Sequence, residues 1–195
     1  MITLYLARHG QTEQNLAHIF QGQMPGNLTA LGRQQAAELG EQLKAVTFDS
    51  LLSSDLARAY DTVEIAFGDR HLPHYTTPLL REIDWGSWTG LAITQERSLA
   101  MRPVDAESDA QLYERAAHFI TYLKQHFEGQ TVLAVGHGMI NRRVIAQIEG
   151  LPLERVKEVP LFTNCEYCRL TLSRGRSHFA LLPPLKHHGA TATPK

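Results

Sequence analysis

With 195 residues the chain is sized for about one compact domain, long enough to bury roughly 70% of the surface its unfolded form exposes without metal or disulfide staples. Hydrophobic residues make up 43% and charged residues 20%, a globular balance rather than a disordered one. Lys and Arg number 19 and Asp and Glu 20, for a net charge of −1, which argues against a broad nucleic-acid or anionic-membrane surface but leaves room for a local basic pocket.

In chain order, Ile2 to Ala7 is a nearly continuous apolar run that ends abruptly in Arg8-His9-Gly10. It reads as a buried strand feeding a loop. It is too short, and lacks the basic flank, for a signal peptide or membrane span, so the expectation is a soluble cytoplasmic protein. Thr29 can cap a helix whose apolar positions are Ala36, Leu39, Leu43 and Val46. Ser50-Leu51-Leu52 is a short strand candidate, after which Ser54 can cap a helix with Leu56, Ala59, Val63 and Ala66 on one face. Ser108 and Gln111 form a capping box ahead of Leu112, Ala116, Phe119, Ile120, Leu123 and Phe127.

Thr131 to Val135 repeats the first pattern, an apolar strand ending in Gly136-His137-Gly138. A helix follows with Ile140, Val144, Ile145 and Ile148 inward, stopping at Gly150-Leu151-Pro152. Arg169–Leu172 and His178–Leu182 read as late strands joined by a turn around Gly175. The expected fold is α/β, a single three-layer domain whose mostly parallel central sheet is flanked by helices. The expected domain covers 1–184, and 185–195 is a loosely held tail.

Three strands thus end in polar residues, and in open α/β sheets sites gather at the carboxyl ends of strands. A lone histidine at such a place is most often a polar residue bonded to its loop. Here it also has the chemistry of a nucleophile, because neutral imidazole attacks phosphorus and the neighbouring Arg8 can hold phosphate oxygens in a fork. Gly10 would let the backbone approach the ring and offer an acceptor to its second nitrogen. Of the ten histidines most read as bystanders: His71 and His74 lie in a loop around Pro73, and His187 and His188 in the tail. Zinc would ask for three or four ligands in a firm frame, so no metal is expected. Cys165 and Cys168, with no second pair, read as ordinary thiols. Trp85 and Trp88 suit either a substrate pocket or core packing.

The segments Arg8-His9-Gly10-Gln11-Thr12-Glu13-Gln14-Asn15, Phe20-Gln21-Gly22-Gln23, Leu28-Thr29-Ala30-Leu31-Gly32, Ser53-Ser54-Asp55-Leu56-Ala57-Arg58, Arg81-Glu82-Ile83-Asp84-Trp85-Gly86 and Gly136-His137-Gly138 follow one another along the chain. In this order and at these separations the series resembles the histidine phosphatase superfamily, the phosphoglycerate-mutase-like group, from residue 2 to about residue 172. The resemblance implies that His9 is a nucleophile that forms a phosphohistidine and passes it to water. It implies a phosphate pocket made by Arg8, Arg58 and His137 with Asn15, Gln21 and Gly22, and it assigns Glu82 as the proton donor. Chemistry supports the set, since two guanidiniums and a second imidazole can stabilise charge on the equatorial oxygens of a transferring phosphoryl group.

The family's mutases usually follow the acidic donor with Arg-His-Tyr-Gly and carry paired arginines in an insertion. Here Glu82 precedes Ile83-Asp84-Trp85-Gly86, and Arg142-Arg143, the adjacent pair, fall on the helix after Gly138. The segment Leu91 to Ala106, a lid in family members, is short, and Ala106 stands where Gly is frequent. The sequence therefore resembles the phosphatase branch: a metal-independent phosphomonoester hydrolase with no cofactor, acting on a small phosphorylated metabolite and working as monomer or homodimer. Phosphoglycerate mutase, phosphoprotein phosphatase and a silent phosphate-binding module are the alternatives.

Overall fold

The computed structural model describes residues 1–99, 101–173 and 177–180. One six-stranded sheet organises them, built from β1 (Ile2–Arg8), β2 (Ser50–Ser54), β3 (His74–Thr77), β4 (Thr131–Gly136), β5 (Tyr167–Leu172) and β6 (Ser177–Ala180) in the spatial order β3-β2-β4-β1-β5-β6. The pairs β1–β4, β2–β4 and β2–β3 are parallel, while β5 runs antiparallel to both β1 and β6. The sheet is therefore mostly parallel, with β5 as the reversed strand.

Side-chain alternation sends the central strands β1, β2 and β4 into two cores. Ile2, Leu4 and Leu6 of β1, with Val132 and Ala134 of β4, pack against Leu112, Phe119 and Leu123 of helix α5 (Asp109–His126) and Ile140, Val144 and Ile145 of α6 (Gly138–Ile148). Tyr5, Ala7, Leu133 and Val135 face the other way. They meet Leu39 and Leu43 at the α2 end (Ala30–Gln42) and Ala59, Val63 and Phe67 of α3 (Ala57–Phe67). Helices on both faces are why the strands carry continuous apolar runs. The described elements are completed by two short helices, α1 (Glu13–Leu16) and α4 (Gln95–Leu99).

The expected caps at Thr29 and Ser108 are present: Thr29 Oγ1 accepts from Gly32 N, and Ser108 with Gln111 closes a full capping box. Three local expectations are corrected. Ser54 is the last residue of β2, and α3 begins at Ala57 with Leu56 at its cap; the serine hydroxyl instead accepts from Leu56 N. The apolar stripe of α2 ends with the helix at Gln42, so Val46 packs from the following turn. His74 is no loop residue but opens β3, pairing with Leu51. The turn around Gly175, the residues beyond Ala180 and the expected tail 185–195 lie outside the described residues. No described helix is long and apolar enough to cross a membrane.

Parallel alignment brings the carboxyl ends of β2, β4 and β1 side by side, with Arg8 opposite Gly136. The chain leaving β1 is seated on the first turn of α2 by glycines. A Cβ on Gly32 would lie 2.0 Å from Gln11 O, and one on Gly10 would lie 2.4 Å from Gly32 O. Alanine ordinarily stabilises a helix interior over glycine by about 1 kcal/mol. At residue 32 the clash with backbone decides the sign. Gly32→Ala should lower stability by about 1–3 kcal/mol, as overpacking does; an unfolding free energy in urea equal to or above wild type would contradict this packing.

Candidate active site

Four of the expected site residues leave the sheet at its carboxyl edge or just beyond it. Arg8 ends β1 and His9 follows it, Arg58 sits in the first turn of α3, and His137 caps α6 directly after β4. His9, Arg58 and His137 are buried, with relative exposures of 2%, 1% and 0%.

Arg58 connects the cluster. Its Nε–H is shared between His9 Nε2 at 3.3 Å and His137 Nδ1 at 3.1 Å. Its Nη2 donates to Gly22 O at 2.7 Å, and its Nη1 donates to Met24 O and to Pro25 O at 3.2 Å. The two imidazole rings lie 4.9 Å apart, centroid to centroid. Gly22 has φ +52°, a left-handed conformation natural to glycine, and its carbonyl accepts the Nη2 bond.

These bonds fix the tautomers. His9 Nδ1 lies 2.7 Å from Gly10 O, an acceptor only, so the ring proton is on Nδ1 and Nε2 carries the lone pair. His137 Nδ1 accepts from Arg58, which places its ring proton on Nε2. That buried Nε2, together with Arg8 Nε, has no hydrogen-bond partner among the described residues. Arg8 Nη1 is spent on Phe162 O at 2.6 Å.

Burial, then the positive charges of Arg58 and Arg8, hold the His9 imidazole well below its ordinary pKa of 6.5, against a smaller opposing effect of its bond to Gly10. His137 is lowered in the same direction by burial, by Arg58, by His9 and by Arg8. Burial pulls Arg58 down to about 10, which still leaves it charged at neutral pH. The cluster is thus two cations and two neutral rings.

Glu82 faces this group from the irregular segment after β3. Its carboxylate accepts from Ile83 N at 3.0 Å and from Met139 N, at the start of α6, at 3.1 and 3.2 Å. With Arg8, His9, Asn15, Gln21, Gly22 and Arg58 it lines a cavity of about 240 Å³. The rest of the lining includes Ile19, Phe20, Trp85, Ile93, Met139 and Leu161, so the cavity has both charged and apolar walls. Trp85 serves both of its expected roles, lining the cavity and packing on the core. Trp88 packs on Phe20 in a tilted contact, ring centroids 5.2 Å apart.

The remaining expected residues differ in what they leave open. Asn15 uses its side-chain oxygen, accepting from Thr12 N at 3.2 Å and Asn164 Nδ2 at 3.3 Å, so its amide N–H groups stay available. Gln21 engages both ends of its side chain, with Thr12 and Gln14, and therefore shapes the wall. Asp84, a second carboxylate in the same segment, is exposed and accepts from Gly86 N, outside the lining.

Sequence reasoning missed several supports. Thr62 bonds back to Arg58 O at 2.7 Å and accepts from Gly10 N at 3.0 Å, tying α3 to the His9 loop. Asn164 donates to His9 O at 3.0 Å, and Asn141 to Ala7 O at 2.9 Å. None of these polar residues leaves a periodic signal. Cys165, half-buried with its thiol pushed up to about 12 by desolvation, has φ +58° and donates its N–H to Arg8 O. Among the described residues no group of three or more His, Cys, Asp or Glu side chains could hold a metal ion.

The depressed histidines carry a stability consequence. Below about pH 6.5 an unfolded chain protonates both imidazoles while the folded chain resists it. Their contribution is complete above that pH and is lost as pH falls toward the folded values. Unfolding free energies should therefore fall from pH 7 to pH 5, and His9→Asn should flatten that slope by up to about 1.4 kcal/mol per pH unit. Equal slopes for both proteins would show that His9 is not held neutral.

Comparison with known proteins identifies the family. The sequence profile of the histidine phosphatase superfamily (branch 1) matches residues 4–183. The chain is 31% identical over 178 residues to the adenosylcobalamin/alpha-ribazole phosphatase of Escherichia coli K12, covering 83% of this chain and 86% of that one. It is 32% identical over 182 residues to the 2,3-bisphosphoglycerate-dependent phosphoglycerate mutase of Bartonella quintana, covering 83% and 88%. Among solved structures, Bacillus stearothermophilus YhfR superposes with a TM-score of 0.87 at 30% identity, over 96% of this chain and 99% of that one. The sequence match across nearly the whole described fold, and the shared three-layer architecture, place this chain in the histidine phosphatase superfamily, branch 1.

Proposed function

We propose that the chain is a metal-independent phosphomonoester hydrolase that works through a phosphohistidine on His9 and acts on a small phosphorylated metabolite. The observation that carries this reading is the His9 ring, held by Gly10 O with its Nε2 lone pair facing a buried guanidinium and a second imidazole.

In the first step the Nε2 lone pair forms the N–P bond as the ester P–O bond breaks. Arg8, Arg58 and the Nε2–H of His137 stabilise the equatorial oxygens. The two buried donors without protein partners, Arg8 Nε and His137 Nε2, suit an anion bound at this place. Glu82, carrying a proton, gives it to the leaving alkoxide. As a carboxylate it then takes a proton from water, whose oxygen attacks phosphorus while the P–N bond breaks. Asn15 offers its amide N–H groups to the phosphate, and Gln21 and Gly22 shape the pocket beside it. The apolar residues of the lining accommodate the organic part of the ester.

Phosphoglycerate mutase is the competing reading, favoured by the similarity to the Bartonella quintana enzyme. Against it stand the Ile83-Asp84-Trp85 that follows Glu82 and the engagement of the Arg142-Arg143 pair elsewhere. Arg142 donates to Val159 O, and Arg143 pairs with Asp109 at 2.5 Å.

Brief incubation with a phosphate ester and quenching should trap acid-labile phosphate on the wild-type protein, in the presence of excess chelator as in its absence. The label should pass to water rather than to an added phosphoglycerate. His9→Ala should lose the label and several orders of magnitude in turnover. Near-wild-type turnover in that variant, or recovery only on adding a divalent ion, would defeat the mechanism.

The role of Glu82 is separable. p-Nitrophenolate departs with little protonation, whereas an alkoxide needs the proton. In single-turnover phosphorylation, Glu82→Gln should slow an alkyl phosphate by about 10²–10⁴-fold and p-nitrophenyl phosphate much less. Equal slowing of both would remove Glu82 as the acid and leave another carboxyl group to be found.

A further inference from the structure

Glu82 stands on a stretch of chain with no regular structure. Residues 81–85 lie between two single 3₁₀ turns, Pro78–Leu80 and Gly86–Trp88. Their buried backbone groups cannot be satisfied by a helix or a ladder and must find partners elsewhere. For three carbonyls here the partner is one side chain on α5. Arg115 donates to Leu79 O at 3.2 Å and to Arg81 O at 2.6 Å through Nη1, and to Glu82 O at 3.2 Å through Nη2.

Arg115 is itself held by Glu107. The pair is bidentate, Nε to Oε1 at 2.9 Å and Nη2 to Oε2 at 2.7 Å, with side-chain exposures of 17% and 14%. Glu107 closes the frame from the other side: its Oε2 accepts from Asp84 N at 3.1 Å, and its own N–H donates to Asp84 O at 2.8 Å. The carbonyls before Glu82 and at Glu82 are thereby tied to the Arg115 side chain, and Asp84 to Glu107 through the carboxylate at its N–H and the Glu107 backbone N–H at its carbonyl. The Glu82 carboxylate needs no contact with either one. It depends on them for the position of its backbone, and a carboxyl group displaced by an ångström loses much of its value in proton transfer.

Resting on the reading of Glu82 as general acid, we propose that Arg115 and Glu107 are positioning residues for it: a planar guanidinium and a carboxylate that replace the secondary structure this segment lacks. Lysine cannot substitute, because one ammonium cannot hold three carbonyls and both carboxylate oxygens in the fork a guanidinium provides.

The test compares the phosphorylation of His9 from an alkyl phosphate and from p-nitrophenyl phosphate in single turnovers of wild type, Arg115→Lys, Glu107→Gln, Glu82→Gln and the Glu82→Gln/Glu107→Gln double variant. The positioning role requires that Arg115→Lys and Glu107→Gln slow the alkyl ester about 10- to 100-fold while p-nitrophenyl phosphate stays within about threefold. In the double variant, Glu107→Gln should add no further discrimination between the esters, because it acts through the group already removed. Glu107→Gln is close to isosteric and leaves Arg115 its three carbonyls, so it carries the test should Arg115→Lys fail to fold. Slowing of both esters alike, or of neither, while Glu82→Gln remains selective would overturn the positioning role alone. A Glu82→Gln variant that does not discriminate would overturn the acid and, with it, this proposal.

Discussion

The site is organised around the burial of one positive charge. Taking a guanidinium out of water is costly unless its donors are matched, and Arg58 engages all three of its nitrogens with carbonyls from residues 22–25 and nitrogens from two imidazoles. Each match restrains something. The loop from Gly22 to Pro25 must fold over the guanidinium, which brings Gly22 into the wall of the cavity. The rings must accept rather than donate toward Arg58, which makes them neutral and fixes their tautomers. A protonated His9 would place a third cation beside Arg8 and Arg58, and the same charges that would hold a phosphate dianion oppose that state.

The supports of the site are of two kinds. Arg8, His9, Arg58 and His137 stand at strand ends or in first helical turns, so the sheet positions them through elements that carry their own hydrogen bonds. Glu82 stands on none, and its backbone is satisfied by side chains from α5 and from the chain just before it. The distinction follows the roles proposed for them. The groups proposed to bind phosphate share one edge of the sheet, while the proposed proton-exchanging group lines the same cavity from the irregular segment after β3. The start of α6 links the two halves, with His137 at its cap and Met139 N–H on the Glu82 carboxylate.

The elements that could be read directly are those whose burial is periodic. β1 and β4 are apolar on both faces because helices cover both, and the capping box of α5 announces itself three residues ahead of its apolar stripe. β3 gave no comparable sign. It is four residues long, lies at the sheet edge and buries Thr77 alone, so neither a run nor an alternation could form. Ser54 shows the opposite failure. A hydroxyl ahead of a helical stripe is a fair cap, but pairing within the sheet carried the strand through Ser54 and moved the start of α3 to Ala57.

Sequence alone determined the layers, the sheet's main strands and the identity of the phosphate-pocket candidates, because local periodicity and an ordered set of motifs are properties of the chain. Only the tertiary structure decided which nitrogen of each imidazole carries the proton, that Gln21 is spent in the wall, and that Arg115, Glu107, Thr62 and Asn164 support the site. The reason is physical. A hydrogen bond from a side chain to a distant carbonyl follows no helical or strand period, and the direction of a ring's lone pair is set by neighbours that the chain brings together only on folding.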